Sequence, residues 1–490
     1  MEWLKIWTRS LPIHSFRLPS GEAGSLLVAS ISFNDSPLSV QQEHTLKYIT
    51  TLALITMSGS AMAQSGLDID RAYAAELRAD ANTRSSLIGT NGSNLDVTVF
   101  TQFRYTYDTR DEIMGGTVLG DADTTVGFSA PRTQIRLKGG VEGTDITGHV
   151  SFDFGGAFDH SASSQTPGGL TGDGGATLRT AYGTWAIDDN WTFIFGQIKN
   201  PYSHEANVAP EHSQGVERSL TNSFFDIGYT QGIAFNYTDD EWKFTAFFSD
   251  GPTVNVVGFN PANSYYTSAA EADISLTGRL DWLVSGNWDQ FDDFASWQGS
   301  NSGLRVGAGV SWAQMGDTNP TPGVLGAPIG AIDSITSTVW TVDGQYESDG
   351  WGLFASYTSM NVDIEGVTSG GFDMTMNGLV LQGNLFFTEQ FEAFARYDMI
   401  MLDDDPGAPF PLAATDDDQY SMFTIGFNYY LVPESHAARF SMDAGFGLDD
   451  TTGLDRMLFT DVSTTGFAGG GASSGTESNL MLRAQFSLLF

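Results

Sequence analysis

Four polar residues, Arg132, Gln134, Arg136 and Lys138, alternate with Thr133, Ile135 and Leu137. In extended chain, successive side chains point to opposite faces, so the three bases share one face. Arg104, in a similar alternating stretch, adds a fourth. Such a patch breaks no bonds; its chemistry is electrostatic, and rings of Arg and Lys in a polar passage favour anions. Lys243, Arg279, Arg305, Arg396, Arg439 and Arg483 have the same parity in their own stretches, whereas the parity of Arg179 and Lys199 is ambiguous. Lys199 and Arg218 stand near the two ends of segment 200–228. Motifs for bond-breaking chemistry are missing: the chain has no Gly-x-Ser-x-Gly elbow and no His-Glu-x-x-His pair. His204, Glu205, Glu211 and His212 share one segment and are the best candidates for a metal or catalytic site, though scattered loop histidines are mostly only polar.

The elements that position these bases are strands. From Val97 onward, helical periodicity is absent and period two dominates, giving sixteen alternating segments of mostly about nine to thirteen residues, a length that crosses a bilayer at a tilt. Connections alternate between long (108–131, 155–176, 200–228, 250–272, 448–478) and short (Asp188-Asp189-Asn190, Asp239-Asp240, Ser348-Asp349, Glu389-Gln390). One short-side connection, 285–302, is too long and either hides part of a strand or folds back. Long–short alternation over an even number of strands predicts an all-β, up-and-down antiparallel transmembrane barrel. The last twelve residues, NLMLRAQFSLLF, put Leu480, Leu482, Ala484, Phe486, Leu488 and Phe490 on one face and Arg483, Gln485 and Ser487 on the other. In hydrocarbon no sheet edge can stay unpaired, so this strand must close against the first. Its ending, with Phe486 and Phe490, resembles the signal read by the barrel-assembly machinery of Gram-negative outer membranes.

A barrel of this size encloses water. A charge facing lipid at mid-depth costs roughly 2–4 kcal/mol, so strand bases must point inward whatever they do. Acids crowd the connections instead, as in Asp289-Gln290-Phe291-Asp292-Asp293, Asp403-Asp404-Asp405, Asp416-Asp417-Asp418 and Asp449-Asp450. With both termini periplasmic, these runs are expected to face outward as solvated surface. A second reading is Ca²⁺ or Mg²⁺ bridging to lipopolysaccharide phosphates. The net charge of −37 excludes nucleic acid as a partner, and zero cysteines exclude disulfides and thiolate metal sites.

Residues 1–63 read as an N-terminal extension plus signal peptide: Lys47, an apolar run from Ile49 to Met57, and Ala61-Met62-Ala63 for cleavage after Ala63. The signal begins far into the chain, which points to a true translation start near Val40. Residues 64–94 predict a short periplasmic helix (67–88) and a linker, leaving 95–490 for the barrel.

Residues 196–203, Gly-Gln-Ile-Lys-Asn-Pro-Tyr-Ser, and the later Glu217-Arg218-Ser219 resemble the phosphate-selective porin O/P family, as do FARYD (394–398) and GFNYYL (426–431). The resemblance spans residues 95–490. It implies a sixteen-stranded trimeric outer-membrane porin whose third external loop, here 200–228, folds inward as a constriction. Phosphate-selective members are rich in pore lysines; only Lys138, Lys199 and Lys243 follow residue 63 here. The expected function is therefore passive diffusion of small hydrophilic solutes and ions with a weak anion preference. The alternative is a channel specific for phosphate, pyrophosphate or an oligosaccharide, the last using lumen-parity Phe100, Phe247, Phe354 and Phe394. A barrel enzyme or adhesin is a distant third.

Overall fold

The structure, a computed structural model, describes residues 95–108, 113–114, 117–118, 125–154, 177–251, 272–315, 332–366, 372–401, 419–449 and 480–490. The signal peptide, the 67–88 helix and the acidic runs 403–405 and 416–418 lie outside the described residues.

Alternating apolar residues that lipid can solvate form sixteen barrel strands: β1 (Leu95–Asp108), β2 (two segments, Thr125–Ser129 and Thr133–Gly140), β3 (Ile146–Asp153), β4 (Thr177–Ala186), β5 (Trp191–Lys199), β6 (Tyr229–Thr238), β7 (Trp242–Ser249), β8 (Ala272–Ser285), β9 (Gly303–Met315), β10 (Ile332–Ser348), β11 (Trp351–Gly366), β12 (Phe372–Phe386), β13 (Phe391–Met401), β14 (Gln419–Tyr430), β15 (Ala438–Gly447) and β16 (Leu480–Leu489). Each pairs antiparallel with its sequence neighbours. β16 closes on β1 with Phe486 opposite Phe103 and Gln485 opposite Arg104. The terminal residue completes that seam: Val99 N donates to Phe490 O at 2.7 Å, and Phe490 N to Val99 O at 2.9 Å. No edge is left open, as hydrocarbon demands.

The faces are inverted relative to a water-soluble protein. Phe195, Phe248, Leu276, Val310, Leu381 and Ile425 are exposed, while arginines and carboxylates are buried. At the turn end, Trp185, Trp191, Trp242, Trp282 and Trp351 form an exposed girdle, with Trp242 and Trp282 stacked at 5.7 Å. Such rings sit at the membrane–water boundary.

Two features differ from the sequence reading. β2 begins at Thr125, inside the long connection 108–131 that the alternation predicts. Arg104 opposes Ser129 and Thr101 opposes Thr133, so β2 spends four residues where β1 spends three. Pro131, with no N–H to give, lies in that bulge and flips the side-chain parity there, which hid the strand. The run 289–293 does not face outward. It belongs to the connection 286–302 on the short-turn side, which folds back against the barrel mouth. Ser348 N donates to Ser296 Oγ at 3.1 Å, and Gln345 Nε2 donates to Asp293 O at 2.6 Å.

Candidate functional site

The loop between β5 and β6, residues 200–228 (hereafter L3), lies within the lumen. Its fold follows from the residues of the Pro-Tyr-Ser and Glu-Arg-Ser motifs. Asn200 Nδ2 donates to Thr277 Oγ1 of β8 at 2.9 Å. Ser203 caps the one-turn helix α1 (His204–Asn207), and Ser219 caps α2 (Leu220–Phe225). Glu205 accepts from Ser219 N at 2.7 Å and from Ser219 Oγ at 2.6 Å, tying the two halves together. Arg218 Nη2 donates to Val208 O at 2.6 Å, and the Tyr202 hydroxyl to Phe225 O at 2.5 Å. The motif residues thus brace the loop against itself. Upstream, Gly196 holds φ +122, and a Cβ there would come within 2.8 Å of Tyr182 Cα; no other residue fits such a backbone without strain.

Wall arginines hold L3 in place. Arg104 Nη2 donates to Glu217 Oε1 at 2.7 Å and to Val216 O at 3.2 Å, and Arg132 grips both oxygens of Glu217 at 2.6 Å. Arg136 pairs with Glu211. Arg396 Nη1 donates to Glu217 O at 3.0 Å, Arg439 Nη1 to Ser213 O at 2.8 Å and Arg279 Nη1 to Tyr202 O at 2.9 Å. Burial alone would raise the Glu217 carboxyl, but the guanidiniums of Arg132 and Arg104 outweigh it and hold it well below the usual carboxylate range. Glu211 is lowered in the same way, with burial opposed by Arg136.

Twelve of the thirteen bases singled out above fall into two groups. Arg104, Arg279, Arg305, Arg396, Arg439 and Arg483 are buried. Arg279 and Arg305 share Asp281 and Asp343, Arg396 pairs with Asp398, and Arg483 pairs with Asp443. These bases bind wall and loop together and meet no open water. The rest keep some exposure: Arg132, Arg136, Lys199, Arg218 and Lys243 are half-buried and Lys138 is exposed, with no ion-pair partner among the described residues. Lys199 pairs with Asp226 of L3 at 2.9 Å. Arg179 pairs with Asp153 at 2.7 Å and stands at a register shift between β3 and β4, the source of its ambiguous parity. Phe100, Phe247, Phe354 and Phe394 are buried as well, so they offer no aromatic track for sugars.

His204, Glu205, Glu211 and His212 do not converge. His204 Nε2 lies 2.8 Å from Gln345 Oε1, and His212 Nδ1 lies 3.2 Å from Asp292 O. Glu205 serves Ser219 and Glu211 serves Arg136. No cluster of three or more potential metal ligands occurs among the described residues. What the sequence reading missed is the pairing of the L3 acids with the wall bases: Glu211 with Arg136, 75 residues earlier, and Glu217 with Arg132 and Arg104, 85 and 113 residues earlier, separations that no local pattern spans.

Burial along the inner face maps what L3 leaves uncovered. Most inner residues of β8 through β1 are buried, including Thr277, Thr341, Thr358, Thr424, Ser441 and Gln485. On β3 to β5, Thr147, His149, Tyr182, Thr184, Thr192 and Ile194 retain exposure. The same stretch of wall carries half-buried Arg136, exposed Lys138 and the stacked His149–Tyr182 pair.

The sequence matches the family model described as phosphate-selective porin O and P over residues 101–465. The chain belongs to this porin family. Among solved structures, the porin is similar to the anion-selective porin from Comamonas acidovorans, at 12% identity and a TM-score of 0.49 over 81% of this chain and 100% of that one. It is similar also to the outer membrane channel DcaP of Acinetobacter baumannii, at 14% identity and a TM-score of 0.47 over 82% of this chain and 99% of that one. No curated protein matches the sequence significantly. The assignment rests on the family match: this is an integral outer-membrane porin, a channel for passive diffusion of small hydrophilic solutes.

Proposed function

We propose that the porin is a general diffusion channel with a weak preference for anions, working as a trimer. One observation carries the preference: the uncovered wall is the one bearing Arg132, Arg136 and Lys138, with Arg179 and Lys199 beyond them, and Lys138 is exposed. The preference is weak because the neighbouring charges cancel: Glu217 against Arg132, Glu211 against Arg136, Asp153 against Arg179 and Asp226 against Lys199. One uncompensated charge about 5 Å from an ion's path contributes roughly 0.8 kcal/mol in water, about fourfold in partitioning before salt screens it. With three lysines in the whole barrel, a dedicated phosphate ladder has no material. Catalysis forms no part of this reading, and hydrolase assays on the refolded porin are expected to be blank. Assembly would pass through the barrel-assembly machinery by way of Phe486 and Phe490, and the outer leaflet would present lipopolysaccharide, with Ca²⁺ or Mg²⁺ bridging at acidic external loops. A planar-bilayer reversal potential under a KCl gradient tests the preference: the expected chloride-to-potassium permeability ratio lies between one and about four. A ratio below one would overturn it.

A further inference from the structure

The described turns other than 286–302 are no longer than residues 431–437, and most are far shorter. A hairpin needs only two to five residues, so the extra length of 286–302 serves something besides chain reversal. It is a built element. Asn287 and Gln290 form a capping box over the short 3₁₀ turn Trp288–Phe291. Trp288 Nε1 donates to Asp239 O, in the turn between β6 and β7, at 2.8 Å. From there the segment follows the mouth past β10 and β12 to the far side. Gln298 Nε2 donates to Phe386 O at 3.1 Å and Gly350 N to Trp297 O at 3.2 Å. Trp297 is packed between Phe386 at 5.1 Å, Tyr430 at 4.7 Å and His436 at 5.4 Å, and His436 Nε2 lies 2.9 Å from Asp293 Oδ2. The β6–β7 turn and the β14–β15 turn stand on opposite sides of a sixteen-stranded ring, so one segment spans half the mouth.

L3 rests on this segment. Phe294 forms a buried cluster with Val208 of L3 and with Phe354 and Val380 of the wall. Gln214 Nε2 donates to Phe294 O at 3.5 Å, His212 Nδ1 contacts Asp292 O at 3.2 Å, and the His212 and His436 rings lie 4.6 Å apart. On the opposite flank, Asp289 and Asp292 are exposed, beside Lys243, whose ammonium sits 4.5 Å over the Trp288 ring.

We propose that residues 286–302 are a second constriction element, a floor at the turn-side mouth that supports L3 from below and presents Asp289 and Asp292 to solutes leaving the passage. L3 narrows the lumen from the loop side. The floor sets how far L3 descends, and its carboxylates oppose the basic wall of β2 to β5, so the channel's ion preference is a balance between a basic middle and an acidic exit.

The full-length porin in planar bilayers tests this directly. The Asp289→Asn/Asp292→Asn double variant alters only exposed side chains; the chloride-to-potassium permeability ratio is expected to rise, by at most about fourfold per charge removed. An unchanged ratio would overturn the exit role. The chain has no cysteine, so single introduced thiols report cleanly. Ala295→Cys, at a buried position, is expected to react with a small charged thiol reagent far more slowly than Asp289→Cys. Adding Trp297→Ala to Ala295→Cys is expected to speed its labelling and raise mean single-channel conductance roughly 1.5-fold or more, since pore width governs flux. Equal labelling of Ala295→Cys and Asp289→Cys in the otherwise unaltered chain would show that the segment is not seated. Faster labelling with unchanged conductance would show that it does not limit passage. Either result would refute the proposal.

Discussion

Glu217→Gln removes the single carboxylate that two wall arginines share, and its consequences can be worked from the geometry. Arg104 is fully buried, and Arg132 holds both Glu217 oxygens at 2.6 Å. Removing one partner of a buried pair costs about 3–5 kcal/mol. Arg104 retains Gln485 Oε1 at 2.6 Å and 2.8 Å and Val216 O at 3.2 Å, which places the cost near the lower end, about 3 kcal/mol. At 1.4 kcal/mol per decade, that weakens L3 docking roughly a hundredfold. Several other anchors remain, so the loop is expected to loosen at its 213–218 stretch without leaving the lumen. Two readouts follow in planar bilayers at pH 7: open-channel current noise increases, and the reversal potential moves toward chloride because one negative charge is gone beside Arg132. The pH dependence of the unaltered porin has a fixed sign. Glu217 is held well below its ordinary value, so its contribution is present above the unfolded carboxylate pKa and is lost only as pH falls through the lower folded value. Unaltered channels at pH 5 should therefore behave as at pH 7 in this respect. Noise and reversal potential in Glu217→Gln indistinguishable from the parent would refute the role assigned to the Arg104–Glu217–Arg132 bridge.

Lys138→Glu reverses the exposed base on the open wall, and the permeability ratio should shift toward potassium by roughly fourfold per unit charge before screening, read from reversal potentials. Gly196→Ala forces a side chain onto φ +122 against β4, and its cost of roughly 1–3 kcal/mol should lower the thermal midpoint of the detergent-solubilised barrel. His204 and His212 both titrate below the usual 6.5, through burial first and then through Arg305 and His436 respectively. The unfolded chain therefore binds more protons than the folded one below about pH 6.5, and stability should decline from there as pH falls. In the His204→Gln/His212→Gln variant, the midpoint-against-pH curve should be flatter; parallel curves would contradict the assignment.

Much of the barrel was legible because membrane strands obey a simple rule: one face meets lipid, so Leu480, Leu482, Ala484, Phe486 and Leu488 had to alternate with polar partners. The rule failed where the chain departs from period two. The bulge at Ala130, Pro131 and Arg132 shortened β2 on paper by one segment. The run Asp289-Gln290-Phe291-Asp292-Asp293 looked solvated because its acids dominate composition, whereas the signal lay in Phe291, Phe294 and Trp297, spaced three apart and turned toward the barrel. Parity groups the bases on one face of their strands, yet says nothing of which of them L3 covers. Arg279 and Lys138 have the same one-dimensional signature, but one is buried under Tyr202 and the other is exposed. That distinction arises only when a loop from one side of the ring packs against strands on the other.

The claim that solutes pass along the wall of β2 to β5, while most of the inner face from β8 to β16 is buried, is tested most directly by two single thiols. Thr184→Cys stands on the half-buried inner face of β4 and Thr358→Cys on the buried inner face of β11. A charged thiol reagent added during single-channel recording should cut the current through Thr184→Cys and leave Thr358→Cys unaffected. Block at Thr358→Cys with Thr184→Cys untouched would place the passage on the opposite wall and contradict the assignment.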